Sequence, residues 1–112
     1  MSQLPRVANA ILDNRKITRY LLSTVHPTGA SKAKFFMSFG FSPVNWAELK
    51  RALLNDPLNN PVTSQTSNRF GQKFEVSCSL AAPDGRNPCI TSVWIIEPPN
   101  PNPRFITAYP NP

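Results

Sequence analysis

Thirteen prolines in a chain of 112 residues restrict its fold more than any other feature. Each fixes φ and removes a backbone donor, so none sits comfortably inside a helix or a central strand. The usual share of proline is about 5%, and the excess here rules out a coiled coil or a bundle of long helices. Short elements separated by turns remain. The length admits one domain, spanning 1–112, with a single modest core.

Periodicity divides the chain into helices followed by strands. Lys16-Ile-Thr-Arg-Tyr-Leu-Leu22 places Ile17, Tyr20 and Leu21 on one face of a short helix. Val25-His26-Pro27 interrupts it, because the residue before proline is pushed away from helical geometry. A second helix, Lys32 to Phe39, carries Phe35, Phe36 and Phe39 and stops at Gly40. Ser42-Pro43 reads as the start of a third, with Trp46, Leu49 and Leu53 facing inward and Asp56-Pro57 as its end. Trp46 and the three phenylalanines are assigned to the core.

After Pro61 the period changes to two. Phe74, Val76, Cys78 and Leu80 alternate with polar residues, Pro83-Asp84-Gly85-Arg86 reads as a turn, and strands follow at Ile90 to Ile96 and Phe105 to Tyr109. A weaker polar strand, Val62 to Thr66, precedes a turn at Asn68-Arg69-Phe70-Gly71. The expected class is α+β: N-terminal helices packed on a C-terminal antiparallel β-meander.

Charge and composition narrow the function. Twelve Lys and Arg against six Asp and Glu leave a net charge of +6, which favours polyanionic partners such as RNA, DNA or an acidic protein. No stretch has the length of a membrane span. The N-terminus lacks the pattern of a secretory signal, so the expected location is cytoplasmic. Cys78 and Cys89 are expected to be free thiols in a reducing compartment. A hairpin centred on Asp84-Gly85 would set Cys78 opposite Thr91 and leave the two cysteines diagonal, too far apart to bridge easily. Two cysteines and one histidine make a poor zinc site, and the scattered carboxylates make a poor magnesium cage. No cofactor or metal is expected.

Five side chains are candidates for chemistry. His26 lies in the break between two helices, where it is either a surface or capping residue or a general acid or base. Lys32 lies one helical turn into the next element, and the helix start after Gly29 offers amides to a phosphate. Arg86 is either a bidentate phosphate clamp or a solvated turn arginine. Thr107 and Tyr109 on the last strand could line an exposed face. Trp94 reads as buried or half-buried rather than as a stacking platform.

The run His26-Pro-Thr-Gly-Ala-Ser-Lys-Ala-Lys-Phe-Phe36, then Gly40-Phe41, Val93-Trp-Ile-Ile-Glu-Pro98 and Ile106-Thr-Ala-Tyr-Pro110 resembles a family of small bacterial proteins with the pattern HPxGxxKAxFF … GF … PDGR … VWIIEP … TAYP. The resemblance runs from Lys16 to Pro110. It implies a toxin with a neutralising partner, either standing alone or as the tip of a larger secreted protein. It also implies a fold similar to that of barnase, EndoU, the ribonuclease colicins and RelE. Carried over by position, its motif points to His26, Lys32, Arg86, Thr107 and Tyr109, with Gly29 and Trp94 structural. Phe74 stands where such relatives often carry tyrosine, so any role of that hydroxyl is missing here.

The resemblance thus implies a metal-independent endoribonuclease acting on RNA, neutralised by a small, acidic antitoxin or immunity protein. Such cleavage needs a group to take the 2′-OH proton, cations for the phosphorane and an acid for the 5′-oxygen. His26 suits the base or acid, Lys32 and Arg86 the cations, and Tyr109 or Thr107 a proton donor or positioner. The alternatives are a non-enzymatic protein-binding module (antitoxin-like or an adaptor), in which His26 caps a helix, and a DNA-binding module. No helix carries the basic cluster that the latter needs.

Overall fold

The alternation after Pro61 folds into a four-stranded antiparallel sheet in a computed structural model that describes residues 3–111. Strands β1 (Val62–Asn68), β2 (Gly71–Ser77), β3 (Ile90–Ile96) and β4 (Arg104–Pro110) lie side by side in chain order, a plain meander. The β1–β2 turn is tied by Asn68, whose Oδ1 accepts from the amides of Phe70 and Gly71. The helices precede the sheet and pack on it, so the architecture is the expected α+β.

The register sorts side chains between two faces. Trp94 is opposite Phe74 on β2 and Phe105 on β4, while Ser92 is opposite Val76 and Ala108. All of these are buried against the helices. Glu75, Val93 and Thr107 form one row across the other face, and Ser77, Thr91 and Tyr109 form the next. An irregularity in the β3–β4 ladder separates the Val93–Thr107 pair from the Trp94–Phe105 pair. One residue of β4, Ile106, is thereby left over. Phe105 enters the core and Thr107 emerges on the opposite face, although the two are two residues apart.

Among the helices, α1 (Asn14–Lys16) is capped by Asp13, whose carboxylate accepts from the Arg15 amide, and continues into a π-helical turn, Ile17–Leu21. That turn buries Ile17 and Leu21 completely. Helix α2 (Ala30–Ser38) buries Ala33 and Phe36 and ends before Gly40, whose φ of 101° only glycine adopts readily. Phe35 packs on the rim of the core. Phe39 does not join the core as expected, but lies against Phe35 and beneath the Arg86 guanidinium.

Helix α3 (Trp46–Asn59) departs from its predicted limits at both ends. Ser42 and Pro43 precede it as a turn, with Ser42 Oγ accepting from the Asn45 amide, and Asn45 is the N-cap. At the other end the helix runs through Pro57. The side-chain amides of Asn59 and Asn60 donate to the carbonyls of Asn55 and Asp56, which supports the last turn beyond the proline. Leu49 and Leu53 face the sheet as expected, with Trp46 at the margin.

The core contains one charged side chain among the described residues. Asp56 is 3% exposed. Its carboxylate accepts from Ser92 Oγ and Asn60 Nδ2, and Ser92 Oγ in turn accepts from the indole N–H of fully buried Trp94. Burial pushes the Asp56 carboxyl up to about 7, against the opposite pull of the two hydrogen bonds.

The cysteine expectation is corrected. Cys78 and Cys89 form a disulfide with their Cα atoms 4.4 Å apart. The ladder pairs Ser77, not Cys78, with Thr91 and ends there. Beyond it the chain is free of ladder spacing, and the cystine closes the loop 78–89 that β2 and β3 leave between them. With the bridge formed, the cysteines no longer favour a reducing compartment. Among the described residues, no helix is long and apolar enough to cross a membrane.

Candidate functional site

Tyr20 is the residue around which the candidate groups gather. The π-helical turn holds its ring half-buried, and its hydroxyl is 3.0 Å from Thr107 Oγ1 on the polar face of β4. The His26 ring stands edge-on to it with centroids 5.0 Å apart. Lys32 Nζ lies over the ring at 5.5 Å and Lys16 Nζ at 5.7 Å. Each such contact contributes roughly 0.5–1 kcal/mol at an exposed site. Two ammonium groups share one aromatic ring, with no carboxylate paired to either among the described residues.

Gly29 permits this arrangement by its lack of a side chain. A Cβ at this position would be 2.3 Å from the Tyr20 carbonyl oxygen, so only glycine lets the start of α2 approach the Tyr20 turn. The turn that leads into α2 is tied by backbone amides. Those of Thr28 and Gly29 donate to His26 Nδ1, at 3.1 and 2.9 Å, and that of Ala30 donates to the His26 carbonyl. A backbone N–H can only donate, so Nδ1 must carry a lone pair. The neutral ring therefore holds its proton on Nε2. His26 ties the turn before α2 through one nitrogen and offers an N–H donor through the other.

Beside this cluster is an open depression of about 530 Å³, lined by Asp13, Arg15, Lys16, Arg19, Tyr20, His26, Arg104 and Phe105. Lys32 lies outside that lining, on the Tyr20 ring. Arg15 pairs with Asp13, and its hydrogen bonds hold the Asp13 carboxyl well below the usual carboxylate range. Arg104 pairs with Glu97. Arg19 and Lys16 make no ion pair among the described residues.

Tyr109 sits two residues beyond Thr107 on the same face, about 7 Å along the strand. Its hydroxyl donates to Glu75 Oε1 at 2.9 Å. Burial first, and then the Glu75 carboxylate, raises the phenol above its ordinary value. Phe74, where the resembling family often has tyrosine, points to the opposite face and is buried, so a hydroxyl there would enter the core.

Arg86 is placed elsewhere. Its guanidinium bonds Asp84, donates to the Ser38 carbonyl at the last turn of α2 and lies 4.5 Å from the Phe39 ring centroid. A cation on the final carbonyls of a helix is favourable to its dipole. His26 and Lys32 flank the first turn of the same helix, about 12 Å away along its axis. The structure thus brings together His26, Lys32 and Thr107 through Tyr20, sets Tyr109 next to them with Glu75, and leaves Arg86 apart.

Sequence patterns did not mark Tyr20, Lys16, Arg19, Arg104 or Glu75 as members of a site. The run Asn14-Arg-Lys-Ile-Thr-Arg-Tyr20 did carry a signal. Arg15, Lys16 and Arg19 alternate with buried Ile17 and Leu21 and share the outer side of one turn. Nothing in the sequence marked Tyr20 and Thr107 as neighbours, 87 positions apart.

Comparison with known proteins adds the fold and the family. No curated protein matches the sequence. Among solved structures, a chain of a contact-dependent growth inhibition toxin–immunity protein complex from Klebsiella pneumoniae 342 is similar, with a TM-score of 0.72 and 17% identity over 90% of this chain and 99% of that one. Residues 3–112 match the family described as a domain of unknown function, DUF6883. With nearly its whole length matched, the chain belongs to the DUF6883 family.

Proposed function

We propose that residues 1–112 form a one-domain toxin, a metal-independent endoribonuclease that acts on RNA in the cytoplasm and is neutralised by a small acidic immunity protein or antitoxin. The observation that carries this reading is the Tyr20 cluster, which gathers His26, Lys32, Lys16 and Thr107 beside a basic depression. A fold shared with a chain of a toxin–immunity complex supports the toxin and its partner. The net charge of +6 fits a polyanionic substrate and an acidic partner alike.

The chemistry follows from the donors and acceptors. The 2′-oxygen of RNA attacks the adjacent phosphorus and the P–O5′ bond breaks, leaving a 2′,3′-cyclic phosphate and a 5′-hydroxyl. Tyr109 takes the 2′-OH proton as its own proton passes to Glu75. Lys32 gives a proton to the leaving 5′-oxygen, and the His26 Nε2–H donates to a phosphate oxygen whose charge grows in the transition state. Thr107, held by Tyr20, orients the attacking group. Arg86 supports the reaction from a distance by holding the end of α2.

Expression without a partner should arrest growth, and the purified protein should cleave RNA in EDTA. Lys32→Ala should lower the rate by about 10²-fold or more. Arg86→Ala should lower thermal stability while leaving the rate of the folded protein within a few-fold. A requirement for a divalent metal would overturn the mechanism, and undiminished cleavage by Lys32→Ala would overturn the site.

A second reading, a non-enzymatic binding module, is favoured by one observation: His26 Nδ1 ties the turn that leads into α2, as a purely structural histidine would. Failure of the purified protein to cleave any RNA while it still binds a protein partner would select it.

A further inference from the structure

We infer that the depression beside Tyr20 is a second phosphate site, which holds the RNA backbone next to the scissile phosphate through Lys16 and Arg19 and is indifferent to the bases. The inference rests on the ribonuclease reading for its substrate, and on separate observations for its place and chemistry.

Three observations converge on it. First, Arg15, Lys16 and Arg19 crowd one side of a single turn, with only Asp13 among them. Like charges three or four residues apart destabilise a helix by roughly 0.2–0.5 kcal/mol per pair. Arg15 has a carboxylate partner, but Lys16 and Arg19 have none among the described residues. A bound anion would relieve that repulsion. Second, the two cations line an open depression to which β4 adds a further cation, Arg104. Third, His26 lines the same depression. Its Nδ1 accepts from the amides of Thr28 and Gly29, which leaves the Nε2–H to the scissile phosphate and makes His26 a residue that the two sites share. Two long-stemmed cations suit a phosphodiester, whose charge is spread over two oxygens.

The lining also says what the site does not recognise. Its aromatic rings are closed to stacking. Phe105 is 1% exposed, and Tyr20 is occupied by His26, Lys16 and Lys32. Without an open π-face the site can read charge and backbone, but not base identity. Lys16 belongs to both the Tyr20 cluster and the depression, so the second phosphate lies immediately beside the first along one strand.

The test uses the full chain and a fluorescein-labelled single-stranded RNA octamer with 2′-O-methyl groups, which binds but cannot be cleaved. Anisotropy titrations between about 50 and 200 mM salt compare wild type with Arg19→Ala, Lys16→Ala/Arg19→Ala and the control Arg51→Ala, exposed on α3 and outside the lining. The double variant should bind about tenfold more weakly, or worse, at the low-salt end. Its plot of log K against log salt should be shallower by about 0.7 for each phosphate left without its cation. Uridine and adenosine octamers should bind wild type within about threefold of each other. Arg19 is exposed and lies outside the core, so its single variant keeps the test valid if Lys16→Ala disturbs the Tyr20 turn.

Wild-type cleavage of unmodified RNA is measured alongside. If wild type cleaves RNA but the variants match it in affinity and salt slope, the site is wrong and the ribonuclease reading stands. Strong preference for one base overturns the claim of indifference. If wild type neither binds nor cleaves RNA, both readings fall.

Discussion

The substitution Asp56→Asn should remove most of the protein's pH-dependent stability between pH 5 and 8. Asp56 is a buried residue of α3 with its carboxylate on Ser92 and Asn60, and no neighbouring charge contributes to its shift. Its folded value is about 7, whereas an unfolded chain titrates it near 3.8. The folded state therefore holds a proton that the unfolded state has released. A carboxyl raised in this way contributes its full stability below about pH 4 and loses it as pH rises through 7. Linkage at about 1.4 kcal/mol per unit makes the whole loss about 4 kcal/mol, of which about 2–3 kcal/mol falls between pH 5 and 8. Urea unfolding followed by tryptophan fluorescence at pH 5, 6, 7 and 8 measures it directly. The introduced amide has no charge to bury but strains one hydrogen bond, because it and the Asn60 amide both donate. That cost is the same at every pH, so the quantity that matters is the difference between the two curves. The difference should move by about 2–3 kcal/mol in favour of the variant from pH 5 to 8. Parallel curves would refute the reasoning and place the pH dependence elsewhere.

Two further substitutions test the framework of the site. Gly29→Ala drives a methyl into the Tyr20 carbonyl and should cost about 1–3 kcal/mol of stability in a chemical melt; it should also weaken RNA cleavage, and an unchanged melt would mean that α2 and the Tyr20 turn separate easily. Cys78→Ser/Cys89→Ser opens the loop 78–89 and should lower stability by about 3 kcal/mol on loop entropy; a variant that melts like wild type in the absence of reductant would show that the cystine is not formed in solution.

Much of the fold was legible because it depends on local rules. Alternation from Phe74, the full span of β3 and the stop at Gly40 follow from side-chain period and backbone sterics, which act between residues near in sequence. Helix α3 shows where local rules are overruled. Pro57 ought to end it, but two asparagine side chains supply carbonyl partners and the helix persists to Asn59. Of the candidate site, His26 and Lys32 were legible from their place at a helix start. The ring that joins them was not, because Tyr20 lay within an apolar pattern typical of a core-facing helix.

What the sequence determined by itself is the order of elements, the basic charge and the glycine that lets α2 meet the preceding turn. What only the tertiary structure decided is which side chains share a face and which a cleft. Parity puts Phe105, Thr107 and Tyr109 on one side of β4. The irregularity at Ile106 sends Phe105 to Trp94 in the core and turns Thr107 and Tyr109 outward, to Tyr20 and Glu75. A ladder slips by one residue when packing on its neighbours gains more than the lost backbone pairing costs. That balance is struck between strands and helices far apart in the chain. The same holds for Arg86, whose turn is plain in the sequence but whose partner, the end of α2, is 48 residues away.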